Sequence, residues 1–109
     1  MIEITFKGDK DIELDVKGHA GYGPLGQDVV CAGVSTVVQG LSVMLDKLYR
    51  SGRITKLENV YASGKAHIKV SDYSNSLAWY EVITCFEMAM AQLELIQGAF
   101  SDYVSIKYK

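Results

Sequence analysis

A histidine and a cysteine on either side of a glycine-rich stretch are the residues of this chain best suited to chemistry. The run is Gly18-His19-Ala20-Gly21-Tyr22-Gly23-Pro24-Leu25-Gly26-Gln27-Asp28-Val29-Val30-Cys31. After it, Val30, Val34, Val37, Val38, Leu41, Leu45 and Leu48 recur at helical spacing, which predicts an amphipathic helix from Gln27 or Asp28 to about Tyr49. Cys31 then lies in the first turn. With Asp28 as N-cap, Cys31 is the third helical residue, one whose amide the Asp28 carboxylate would bind. The positive end of a helix favours thiolate over thiol, and a histidine reachable across a glycine loop completes the pattern of an activated nucleophile. In such a pair His19 acts as general base, or as the imidazolium of a preformed ion pair, and then as general acid toward the leaving amine.

The surrounding residues have less specific readings. Asp28 could cap the helix or orient His19, and capping is the simpler role. Ser35 sits one turn beyond Cys31 on the same face, where its hydroxyl would support the site or a bound peptide, or bond back to the helix. Gly18, Gly21, Gly23 and Gly26 permit positive φ and close approach of a substrate backbone, although an ordinary connection explains them too. A lid that closes over a peptide reconciles the two, with Tyr22 and Leu25 touching apolar substrate side chains. The oxyanion would be held by the Cys31 amide together with an amide of the loop or helix start.

These residues resemble the ribosomal-processing cysteine protease family, Prp. Its pattern is a Gly-His-Ala motif ending a strand, a glycine-rich loop, then Gly-x-Asp-hydrophobic-Val-Cys-Ala opening a helix, with a serine four residues past the cysteine. Here these are Gly18-His19-Ala20, Gly26-Gln27-Asp28-Val29-Val30-Cys31-Ala32 and Ser35. Gly33 departs from the alanine more usual there, at a cost to the helix of about 1 kcal/mol at most. Length and element order extend the resemblance over the whole chain. It implies an endopeptidase that removes a short N-terminal extension from large-subunit ribosomal protein twenty-seven, through a Cys31-His19 dyad and an acyl-enzyme. It also implies a homodimer that needs no cofactor or metal.

Composition bounds the alternatives. The chain has 109 residues, room for a single domain over residues 1–109 that buries roughly two-thirds of its unfolded surface. Its net charge is −2 with scattered basic residues, so the electrostatic footprint of a nucleic-acid partner is missing. The first residues, Ile2, Ile4 and Phe6, alternate as a strand and lack the form of a signal peptide, which points to a cytoplasmic protein. Two cysteines make no disulfide framework. A zinc site from Cys31, His19, Cys85 and His67 is disfavoured because the four lack paired short spacings. Cys85 reads as core and His67 as a strand residue without catalytic work. A thiol redox sensor lacks a nearby resolving cysteine. The principal rival is a non-catalytic ribosome-assembly factor that binds the same ribosomal protein without cutting it.

The elements that must position the dyad follow from periodicity. Met1 to Lys7 and Ile12 to Val16 alternate around the turn Gly8-Asp9-Lys10-Asp11, a hairpin leading into His19. A second, less regular hairpin is expected from Ile54–Ala62 and Ala66–Val70 around Ser63-Gly64-Lys65. Ser51-Gly52 ends the first helix, Ser71 to Ser76 forms a connector, a second helix runs to about Gln97 with Gly98 marking its end, and Tyr103 to Tyr108 is a last strand. The order ββαββαβ predicts an α+β fold with helices on a mostly antiparallel sheet. The second helix is apolar nearly all round apart from the stripe Glu81, Thr84, Glu87, Ala91 and Glu94. Burial on more than one side is therefore expected, which favours a homodimer. Its glutamates exclude a membrane span.

Overall fold

The computed structural model describes residues 1–24 and 27–109. Its elements are β1 (Ile2–Gly8), β2 (Ile12–Lys17), α1 (Val29–Arg50), β3 (Ile54–Ala62), β4 (Lys65–Tyr73), α2 (Ser76–Ala99) and β5 (Val104–Tyr108). The expected ββαββαβ order is therefore observed. The strands form one sheet in the order β3-β4-β2-β1-β5, antiparallel throughout except for the β1–β5 pair.

Strand alternation dictates which face is buried. Ile2, Ile4 and Phe6 of β1, Ile12, Leu14 and Val16 of β2, and Ala66, Ile68 and Val70 of β4 turn toward the helices. They meet Val30, Val34, Val38, Leu41, Leu45 and Leu48 of α1 and Val82, Phe86, Ala89, Met90 and Leu93 of α2 in one apolar core. The opposite sheet face is polar, carrying Glu13, Asp15, His67 and Lys69, with His67 between Asp15 (2.6 Å) and Glu58 (3.1 Å). Those two hydrogen bonds, Asp15's first, raise the His67 pKa above its ordinary value.

By length and composition α1 could cross a membrane. In this fold it lies on the sheet and bonds to β3 through polar side chains, Ser42 to Asn59 at 2.7 Å and Gln39 to Tyr61 at 3.0 Å. Its C-terminus closes as the glycine at 52 predicts. Gly52 has φ +83°, its N–H donates to Tyr49 O at 3.1 Å, and Arg53 N–H donates to Leu48 O at 3.0 Å, the paired bonds of a Schellman motif. Gly33 faces α2, where an added methyl would stand 3.4 Å from Ile96 Cδ1.

Two boundaries differ from the sequence reading. The segment Ser71-Asp72-Tyr73, expected as connector, continues β4, because Ile54↔Tyr73 and Lys56↔Asp72 pair across an irregularity in β3 and Thr55 donates to Asp72 at 2.8 Å. Gly98 lies within the last turn of α2, and Phe100 ends the helix with its N–H on Ile96 O. A lone glycine in a final turn costs too little to stop a helix whose packing continues.

Candidate active site

The chain leaves β2 through Gly18, whose φ of +96° is in the left-handed region and whose N–H donates to Gly64 O at 2.9 Å. A side chain at 18 would run into the Met1 carbonyl. Only glycine satisfies both constraints, and the position ahead of His19 is thereby set. His19 is exposed, and Ala20 after it is buried. The Ala20 N–H donates to the Cys31 sulfur at 3.2 Å, which brings the Gly-His-Ala motif onto the opening turn of α1.

Asp28 binds that turn and the loop together. It is the N-cap of α1, and its Oδ1 accepts from Val30 N–H and Cys31 N–H at 3.0 Å each. Its Oδ2 accepts from Tyr22 N–H at 2.9 Å and Gly23 N–H at 3.4 Å. The side chain is 9% exposed. These bonds, the one from Cys31 first, hold its carboxyl below the ordinary value of 3.8. Capping is thus the observed role, joined by a second that spacing does not reveal: the same carboxylate ties the glycine loop to the helix. One expectation needs correcting. The Cys31 amide, foreseen as an oxyanion donor, is engaged by Asp28.

Cys31 and His19 line a common cleft of about 650 Å³ between the start of α1 and the β3–β4 turn. Gly18, Gly21, Gly23, Asp28 and Ser35 line it too, while Val16, Val34, Val38 and Ala66 supply apolar surface. No hydrogen bond joins the His19 ring to Cys31 among the described residues. The imidazole instead lies against Gly64. Ser35 faces the cleft, and the hydroxyl that bonds back into the helix there is that of Thr36, on Ala32 O at 2.8 Å. Gly21 has φ +71°, as a tight turn after the motif requires.

Tyr22 is placed differently from the expectation. Its ring meets Phe100 and Tyr103 edge-on, with centroids 5.3 and 5.1 Å apart, so it anchors the loop to the α2–β5 turn and does not line the cleft. Leu25, expected beside it as a substrate contact, and Gly26 lie outside the described residues. Sequence reasoning missed the third wall: Tyr61, Ser63, Gly64 and Lys65. The turn itself was legible, but its place beside His19 follows from the pairing of β4 with β2, Lys17 opposite Lys65.

The second cysteine stands apart from this cleft. Cys85 packs against the core, and burial pushes its thiol up from the ordinary value. Among the described residues no group of three or more His, Cys, Asp or Glu side chains is arranged to hold a metal ion.

The profile of a family described as "Cysteine protease Prp" matches residues 1–105. The ribosomal processing cysteine protease Prp of Staphylococcus aureus strain Mu50 is 26% identical over 110 aligned residues, covering 99% of this chain and 97% of that one. A crystal structure of the S. aureus protease with a covalently linked product peptide superposes with a TM-score of 0.77 at 23% identity, covering all of both chains. Another, holding a substrate peptide, gives 0.73 at 22% identity, again over all of both chains. These likenesses carry the shared α+β architecture.

Proposed function

From the chain's membership of the Prp family of cysteine proteases, we propose that it is an endopeptidase acting through a Cys31-His19 dyad on the N-terminal extension of large-subunit ribosomal protein twenty-seven. The observation that carries the dyad is the Cys31 sulfur in the first turn of α1, opening on the same cleft as His19 and held against the Ala20 amide. Support for the substrate comes from the S. aureus relatives, described as ribosomal processing proteases and crystallised with peptides.

In this reading the His19 imidazole takes the Cys31 proton as the sulfur attacks the scissile carbonyl. The resulting oxyanion finds the Ala20 N–H, an amide already aimed at the sulfur, in place of the Cys31 amide. Collapse breaks the C–N bond, with His19 returning its proton to the leaving amine and leaving a thioester on Cys31. Water, deprotonated by His19, attacks the thioester, the acid product departs and the sulfur recovers its proton. Asp28 holds loop and helix in register throughout, Gly18 and Gly21 shape the turn around His19, and Ser35 borders the peptide. No cofactor or metal enters these steps. A ribosomal-protein substrate would put the enzyme in the cytoplasm, where ribosomes assemble, with a polypeptide as its partner in this reading.

Incubating the full-length ribosomal protein with the purified chain should shorten it at its N-terminus, read by intact-mass spectrometry. A substrate of unchanged mass, with the protease folded and Cys31 reduced, would remove this assignment.

A homodimer belongs to the same proposal. Leu77, Tyr80, Met88 and Leu95 point outward from α2 with 69, 63, 65 and 76% exposure, leaving apolar surface that the single chain does not cover. That pattern supports the expectation of a second buried side. Sedimentation at micromolar concentration should return twice the chain mass, and Met88→Glu with Leu95→Glu should return a folded monomer. A monomeric wild-type protein in that range contradicts the proposal.

A further inference from the structure

We propose that Gly64, in the turn between β3 and β4, is a positioning residue for His19, and that its missing side chain leaves the space the imidazole occupies. This rests on the dyad reading above. A Cβ built on Gly64 would stand 2.6 Å from His19 Nε2 and 3.1 Å from Cε1, too close for either atom to stay in place. His19 is an exposed side chain, whereas Gly64 sits in the tight turn closed by the Ala62–Lys65 pair and accepts from Gly18 N–H, so the ring would be the part that yields.

The same turn also fixes the backbone of the motif. Lys17 pairs with Lys65, and one step further Gly18 N–H donates to Gly64 O at 2.9 Å. Residue 64 thus holds the Lys17–Gly18 peptide, one residue ahead of His19, with its carbonyl and supports the ring with its bare Cα. A base that must reach a sulfur on a separate helix needs its imidazole confined to a narrow range of positions. A wall of backbone atoms limits that range more firmly than a side chain with its own rotamers would. Positive φ alone does not account for glycine here: at +73° asparagine would also serve, but it would bring the Cβ.

Gly52 supplies a matched control. Its φ of +83° carries the same backbone constraint, but a Cβ there meets nothing within 4 Å, and the residue lies at the far end of α1 from Cys31. Gly64→Ala and Gly52→Ala should therefore lose similar stability through the left-handed backbone, and only the first should disturb His19. The readout is the rate of Cys31 alkylation by iodoacetamide between pH 6 and pH 9, followed by peptide mass spectrometry with Cys85 as internal reference. Gly64→Ala should slow alkylation at pH 6 by roughly tenfold or more relative to wild type, the gap closing toward pH 9, as expected when a thiol loses the base that takes up its proton and solvent hydroxide replaces it. Gly52→Ala should follow the wild-type profile.

Gly64→Asn, which tolerates the left-handed conformation, repeats the test should the alanine variant fold poorly. His19→Ala separates the dyad from its positioning by Gly64. If His19→Ala leaves the profile unchanged, the dyad reading fails and this inference falls with it. If His19→Ala alters the profile and a folded Gly64 variant matches wild type, the positioning role alone is wrong.

Discussion

Cys31→Ala is expected to yield a folded protein that binds its peptide and does not cut it. The residue is half-buried beside the core, and alanine preserves the helical start while deleting only the sulfur and its contact with the Ala20 amide. The Asp28 cap engages the backbone N–H of residue 31, which alanine retains. Folding should therefore change little, whereas covalent catalysis loses its nucleophile. Turnover should fall by roughly 10⁴-fold or more, since removing one member of a cooperating catalytic unit costs nearly as much as removing all of it. Two measurements check this: cleavage followed by mass spectrometry, and peptide binding to the variant by calorimetry. A folded Cys31→Ala protein that cuts near the wild-type rate would disprove the thiol mechanism. Cys85→Ala is the companion control, expected to keep its activity because burial holds that thiol protonated and away from the cleft.

Asp28→Ala should have the largest effect on both stability and activity among the supporting residues. Four amides share the carboxylate, two from the first turn of α1 and two from the loop. Alanine leaves all four without their acceptor, and loss of the cap alone is enough to lower Tm by roughly 5 °C in a domain of this size. Asp28→Ser divides the two roles. A serine hydroxyl caps the helix, but it cannot also bond the loop amides with a second oxygen, so it should recover much of the Tm while kcat/KM stays roughly 10- to 100-fold down.

The pH dependence of stability has a definite sign. Folding depresses the Asp28 carboxyl below its ordinary 3.8, mainly through the Cys31 amide, so its contribution is complete above about pH 4 and is lost as the pH falls through the folded value. The variants lacking the carboxylate should show a shallower acid decline below pH 4 than wild type in urea titrations. Parallel declines in both would contradict the role assigned to the carboxylate.

How much of this was legible without coordinates differs by element. Strong periodic signals give the strands β1 and β2 and the body of α1, because a side-chain period of two or of 3.6 is a local property of the chain. The N-cap was legible for the same reason: Asp28 lies three residues from the amide it binds. The boundaries of β4 and α2 were less so. Strand pairing at Tyr73 and packing around Gly98 outweigh the weak local preferences for turn and cap.

The sequence by itself singled out Cys31 and His19 as the candidate pair, and it determined the helix that presents Cys31 and the carboxylate that starts it, since each depends on neighbours a few residues away. It also showed the excess of apolar residues on α2, which the fold leaves partly uncovered as Leu77, Tyr80, Met88 and Leu95. Only the tertiary structure decided what surrounds the pair. The tie from Asp28 to Tyr22 and Gly23, the docking of the Tyr22 ring on Phe100 and Tyr103, and the meeting of His19 with Gly64 all join segments whose spacing carries no periodic signal. His19 and Gly64 are brought together by the register of β2 on β4, and that register is set by burying Ile12, Leu14 and Val16 beside Ala66, Ile68 and Val70. Slipping one residue would turn every one of those side chains to the polar face, so the hydrophobic core, acting far from the cleft, fixes where the histidine rests.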